Sequence, residues 1–169
     1  MVSSVVDALK LSEHSDVTIY INAVLSREEL KLIRFFNIEI MIDDINYVKE
    51  NYDVLKIINV HLKVNTSMNR YGIDNVEDGF AIIEFCQNND INVVGLLTHF
   101  SLEDECAEVY DLHVKKFKYF YEMLNEVNQF EVVHAENSYT MQKLDVNLKF
   151  CNYVRCGIIC YGYGIVNDA

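Results

Sequence analysis

The sequence predicts an α/β fold of about six parallel strands with covering helices, and three observations carry that prediction. Short, nearly continuous apolar runs alternate with longer amphipathic segments, the pattern expected of strands buried on both faces by helices. Capping signals stand where the amphipathic segments begin. Proline is absent and only 6 glycines occur in 169 residues, so no linker or internal domain boundary is visible.

Taken in order, the strand candidates are Val17–Val24, Ile38–Ile42, Ile57–Val64, Val93–Thr98, Phe130–His134 and Tyr153–Tyr161. After the first, Ser26-Arg-Glu-Glu29 reads as a capping box, with a hydroxyl acceptor and a glutamate three residues on. After the third, Asp74-Asn-Val-Glu77 is a similar start for the helix through Cys86. After the fourth, Ser101-Leu-Glu-Asp104 opens the longest helix, Leu102 to about Val127. That helix places Val109, Leu112, Phe117, Phe120, Leu124 and Val127 along one stripe. About six βα units imply right-handed crossovers. No Gly-x-Gly-x-x-Gly follows any strand, which disfavours a dinucleotide-binding sheet. A complete eight-unit barrel needs about 250 residues and at least roughly 200. The fold is therefore either a complete open sheet or an incomplete barrel.

Composition narrows the function classes. Half the residues are apolar (51%), with 11 Tyr and 9 Phe, so a packed core is expected rather than disorder. The 26 acidic against 14 basic residues give a charge of −12, which argues against nucleic acid or an anionic membrane as partner. The start, Met-Val-Ser-Ser-Val-Val-Asp, has no basic n-region, and no apolar run reaches the roughly 18 residues of a membrane span. Five cysteines, an odd set, read as reduced thiols in a cytoplasmic protein. Cys156 and Cys160 fall on one face of the last strand candidate and Cys151 on the other, so no metal site is expected.

In parallel α/β folds the chemistry sits at the carboxyl ends of the strands. Those positions hold Lys63, Asn65 and Arg70, then His99, then His134, Asn137 and Ser138, then Arg155, Gly157 and Ile158. Each has an ordinary reading: a histidine ending a buried strand is commonly structural, and Asn137-Ser138 suits a helix cap. Lys63 is harder to set aside, because an ammonium inside an apolar strand needs a carboxylate or a change of chemical state. Two basic groups, two histidines and an Asn-Ser pair on one face favour an anionic ligand.

Four segments resemble the alanine racemase family. His61-Leu-Lys63-Val-Asn65-Thr-Ser67-Met-Asn-Arg70-Tyr-Gly72 is similar to His-Leu-Lys-x-Asp-Thr-Gly-Met-x-Arg-x-Gly. Thr98-His99-Phe100-Ser101, His134-Ala-Glu-Asn137-Ser138 and Val154-Arg155-Cys-Gly157-Ile158 with Tyr161-Gly162 resemble three further motifs, in family order. The resemblance runs from Val2 to about Gly164 and implies an incomplete TIM-type (β/α)8 barrel that binds pyridoxal 5'-phosphate. It implies that Arg155 donates to the pyridine nitrogen and that His99 lies against the ring. Asn137 belongs to the cofactor-binding set, while Ser138 and the backbone at Gly157 and Ile158 hold the phosphate. The resemblance further implies that Arg70 contacts the cofactor's phenolic oxygen and that Lys63, a position often carbamylated in the family, would become an anion that pairs with Arg70.

The resemblance also sets expectations about what the 169 residues do not carry. The family's cofactor-bearing lysine lies in a Val-Lys-Ala-Asn-Ala-Tyr-Gly segment on the first strand, and its opposing tyrosine in a C-terminal β domain of the partner in a homodimer. Neither segment is present, so residues 1–169 are expected to be a single partial N-terminal barrel domain with no catalytic residue retained. The stretch from Val2 corresponds to the end of the second strand and the following helix, which places Lys10 on that helix. Asn65 stands for the usual Asp, and Ser67 for a Gly whose loop would be strained if it needed φ > 0. The implied activity is interconversion of L- and D-alanine for cell-wall D-alanine supply, with serine as another substrate. The alternative is a noncatalytic remnant that binds pyridoxal phosphate or another anion, or an interaction partner.

Overall fold

The computed structural model describes residues 1–100, 107–138, 140 and 148–162. In order these form α1 (Val5–Ser12), β1 (Ile19–Ile21), α2 (Arg27–Ile33), β2 (Ile38–Ile42), α3 (Ile45–Leu55) and β3 (Val60–Lys63). Then come α4 (Val76–Asn88), β4 (Val93–Leu97), α5 (Ala107–Leu124), β5 (Val132–Asn137), β6 (Tyr153–Arg155) and a 3-10 helix (Ile158–Tyr161). All six strands pair in parallel in the order β1-β2-β3-β4-β5-β6. A doubly wound sheet would reverse its strand order at a switch point. This one never does, and it curls into an incomplete TIM-type barrel.

Alternation along the strands separates two apolar groups. The large one, with Ile21, Ile40, Leu62, Leu96 and Val133, packs between sheet and helices. The small one, Tyr20, Met41 and Leu97, lies on the concave face. Before α1, Val2 bridges Ile21 in parallel, which places it beside β1. Lys10 lies exposed on α1.

Local chemistry explains the helix starts. Ser26 and Glu29 form the expected capping box: Ser26 N–H donates to Glu29 Oε2 at 2.8 Å, and Ser26 Oγ accepts from Glu29 N–H. At α4 the cap is Asn75, accepting from Asp78 N–H at 2.8 Å, not Asp74. Asp74 is already engaged by Asn65 Nδ2 at 2.8 Å, so the helix begins one residue later. On α5 the buried stripe is Tyr110, Val114, Phe117, Phe120 and Leu124. Leu112 and Val127 are 62% and 47% exposed, because Phe100 packs edge-on against Tyr110 and Phe117 and sets the helix's rotation. The Ser101 capping box lies outside the described residues.

The last strand is shorter than its apolar run. β6 ends at Arg155, the backbone leaves the extended region at Gly157 (φ −116°, ψ −97°), and Ile158–Tyr161 winds as a 3-10 turn. Cys160 therefore stands on that turn, and the strand-face argument linking it to Cys156 does not hold. Among the described residues no helix is long and apolar enough to cross a membrane.

Candidate functional site

The carboxyl ends of β3 to β6 bring most of the sequence-predicted residues together. Arg155, the last residue of β6, is buried and points into the concave side. Its Nη2 donates to the carbonyls of Thr98 at 2.6 Å and Ala135 at 3.0 Å, and its Nη1 to the carbonyl of His134 at 3.0 Å. Nη2 also lies 3.4 Å from His99 Nδ1. Asn137 at the end of β5 reaches His99 Nε2 at 3.5 Å and donates to the Phe100 carbonyl at 3.1 Å. Ser138 Oγ accepts from Gly157 N–H at 2.8 Å and from Ile159 N–H at 3.4 Å, which joins the ends of β5 and β6. Ile158 itself is 61% exposed, so its side chain faces away from this cluster. One polar atom stands out: Arg155 Nε is buried and has no hydrogen-bond partner.

Lys63 and Arg70 stand beside that cluster, both near the ring of Tyr71. Lys63 Nζ lies 5.3 Å and the Arg70 guanidinium 5.9 Å from its ring centroid. Both are within cation–π range. Lys63 is buried and Arg70 exposed. The intervening loop folds back on β3, with Val64 bridging Ile73 and Asp43 accepting from Gly72 N–H at 2.8 Å. Glycine is required at 72, since its φ is +117° and a β-carbon would lie 2.4 Å from Asn65 N. The substitution of Ser67 for glycine costs nothing there: the residue of the loop with left-handed backbone besides Gly72 is Asn69 (φ 47°). Asn65 also suits its place, because its amide donates to Asp74, where a carboxylate could not.

Burial dominates the electrostatics. It pushes Lys63 down to about 8, with Arg70 and Arg155 adding to the shift and Asp43 opposing it. It lowers His99 to about 4, reinforced by Arg155, Lys63 and Arg70. It brings Arg155 down to about 10, still a cation at neutral pH. His134 falls well below the ordinary histidine value through burial, then Arg155 and His61. The cluster thus presents fixed donors to neutral imidazoles and gathers positive charge inside an acidic protein.

Three contributors fall outside the sequence reading: Glu39, Tyr20 and Gly95. His61 Nε2 meets Glu39 Oε2 at 2.8 Å, and the Tyr20 ring packs 4.7 Å from His61 and 5.3 Å from His134. A β-carbon on Gly95 would fall 2.0 Å from His61 Nδ1. Glu39 carries a readable signal, being the lone charge in the apolar run Ile38–Ile42.

Comparisons with known proteins bear on the family and the fold. The family pattern described as "Alanine racemase, N-terminal domain" matches residues 1–164. The alanine racemase of Clostridium perfringens (strain SM101 / Type A) is 33% identical over 142 residues, covering 75% of this chain and 34% of that protein. That of Staphylococcus epidermidis RP62A is 25% identical over 169 residues, covering 96% of this chain and 43% of that protein. Among solved structures, alanine racemase of Clostridium difficile 630 in complex with cycloserine superposes with a TM-score of 0.87 at 23% identity, over 99% of this chain and 48% of that one. A histidine racemase from Leuconostoc mesenteroides subsp. sake reaches 0.79 at 20% identity, over 95% and 44%. The chain spans between a third and a half of the length of these relatives.

Proposed function

The chain belongs to the alanine racemase N-terminal domain family, and from that premise we propose that its concave face holds and orients pyridoxal 5'-phosphate for racemisation of a small amino acid. The observation that carries the reading is Arg155 Nε, a buried donor with no acceptor, at the centre of a ring of satisfied groups. A burial of that kind is costly unless an acceptor arrives, and a pyridine nitrogen is such an acceptor. Ser138 Oγ and the Gly157 amide, 2.8 Å apart, are suited to a phosphate, and His99 to the face of a ring.

When bound, pyridoxal phosphate supplies an electron-withdrawing ring that acidifies the α-hydrogen of an amino acid. The chain's residues do the holding. Arg155 keeps its proton at neutral pH, so a nitrogen facing Nε stays unprotonated and the ring withdraws electrons less strongly. Lys63, lowered to about 8, carries a reactive neutral amine in mild base. This suits carbamylation and pairing with Arg70. Racemisation needs bases on opposite faces of the reacting carbon. Lys63 and His99 share the concave face, so the activity proposed for these 169 residues alone is cofactor holding rather than turnover. In the complete enzyme the substrate would be alanine, with serine the alternative, acted on in a cytoplasmic homodimer that supplies D-alanine.

The test is titration of the chain with pyridoxal phosphate, followed by its absorption spectrum. Arg155→Lys, which cannot reproduce the fork, should weaken binding by about 10-fold or more, and Ser138→Ala by a similar factor. Both variants must first show wild-type circular dichroism. Wild-type affinity in the two folded variants would mean the strand-end cluster is not the binding site.

A further inference from the structure

The hydrogen bonds around Arg155 continue across the barrel. Arg155 Nη1 meets His134 Nδ1 at 2.6 Å, His134 Nε2 meets His61 Nδ1 at 3.2 Å, and His61 Nε2 meets Glu39 Oε2 at 2.8 Å. These residues stand on β6, β5, β3 and β2, so the series crosses five adjacent strands and passes over β4 without using it. It can pass because Gly95 has no side chain to occupy the space of the His61 ring. A register shift between Val60 and His61 places that glycine opposite the histidine.

Donor and acceptor capacity fixes the direction of every link. A guanidinium only donates, so His134 accepts at Nδ1 and carries its proton at Nε2. That proton can go only to His61 Nδ1, so His61 carries its own at Nε2 and donates it to Glu39. Both rings are neutral Nε2–H tautomers between a cation and a carboxylate. Apart from the His134 and His99 rings, the acceptors that Arg155 meets are carbonyls, which are neutral.

We propose that Glu39, His61 and His134 are positioning residues, a relay that fixes the Arg155 guanidinium from the opposite mouth of the barrel with Glu39 as its terminal acceptor. Glu39 is held there itself: Asn59 Nδ2 donates to its Oε1 at 3.2 Å. Its side chain is 14% exposed and borders a cavity of about 370 Å³ at the amino ends of the strands. The series therefore ties the ligand end of the barrel to its far, water-accessible end. This inference rests on Arg155 being the cofactor-orienting group, and the experiment keeps the two apart.

The full chain, labelled with ¹⁵N in histidine and arginine, is examined by NMR at pH 7. Both His61 and His134 should appear as neutral Nε2–H tautomers, and the Arg155 guanidinium protons should exchange slowly with water. Glu39→Met keeps volume but cannot close the relay, and should speed that exchange about tenfold and weaken pyridoxal phosphate binding about tenfold. Glu39→Gln can still accept from His61 and should restore both. Glu39→Ala serves if the methionine variant does not fold. An Nδ1–H or doubly protonated ring in the wild type overturns the relay. Unchanged Arg155 exchange in Glu39→Met overturns its positioning role. A wild-type chain that takes up no pyridoxal phosphate overturns the functional reading, while the tautomers and exchange rates still decide the relay.

Discussion

Gly95 is where one absent methyl group decides the interior. A glycine inside a strand is ordinarily a weakness, and alanine there is favourable by roughly 0.5–1 kcal/mol. Here the added carbon would lie 2.0 Å from His61 Nδ1 and 2.6 Å from its Cγ. The ring would have to leave, parting His61 from both His134 and Glu39. Gly95→Ala should therefore destabilise the chain, by about 1–3 kcal/mol for buried polar groups left unpaired. Urea unfolding measures it, and a neutral or stabilised variant would show that the ring has room to move. The same scale sets what was legible. Lys63 is readable because an ammonium in an apolar strand demands an explanation, and Glu39 in Ile38–Ile42 makes the same demand. Their partners are not readable. His61 and His134 lie 73 residues apart and meet only across a strand whose contribution is an empty space. Gly95 in Val93-Val94-Gly95-Leu96 reads as a gap in an apolar run and nothing more.

At the scale of elements, the helix starts were readable where a side chain has one use and misread where it has two. Ser26 and Glu29 serve only the start of α2, and the box forms as the spacing implies. Asp74 looks like an equal start for α4, but Asn65 takes it to close the preceding loop, and Asn75 caps instead. Strand ends were less legible still, because apolar burial continues past the ladder: Leu25 is buried although β1 stops at Ile21. α2 is 7 residues long, too short to persist without its cap and its packing through Leu30 and Ile33. Ser26→Ala should accordingly cost about 1 kcal/mol, and Ser26→Asp should recover most of it. The comparison is of urea midpoints, and a Ser26→Ala midpoint equal to wild type would mean the box adds nothing to the packing of α2 on α3. An ion pair supports that packing, as Arg27 grips Asp53 through both oxygens at 2.9 and 2.6 Å.

The whole molecule has two opposed electrostatic halves. It carries −12 overall, yet the concave face collects Lys63, Arg155, His99 and His134. Burial holds His99 near 4 and His134 well below the ordinary histidine value, against about 6.5 in an unfolded chain. Between those values the unfolded chain binds more protons than the folded one. Stability therefore rises with pH through that window. The contribution of these histidines is complete above about 6.5 and is lost as pH falls toward 4. The acidic surface pulls the other way, because repulsion among carboxylates relaxes toward the isoelectric point near 4.7. The two effects separate by mutation. His99→Asn removes a buried base and leaves the surface untouched, so its urea midpoint should fall less than wild type between pH 6.5 and 4.5. Identical pH dependence in the two proteins would mean that His99 takes up its proton freely in the folded state. An uncharged imidazole beside Arg155 and Lys63 would then no longer describe the site.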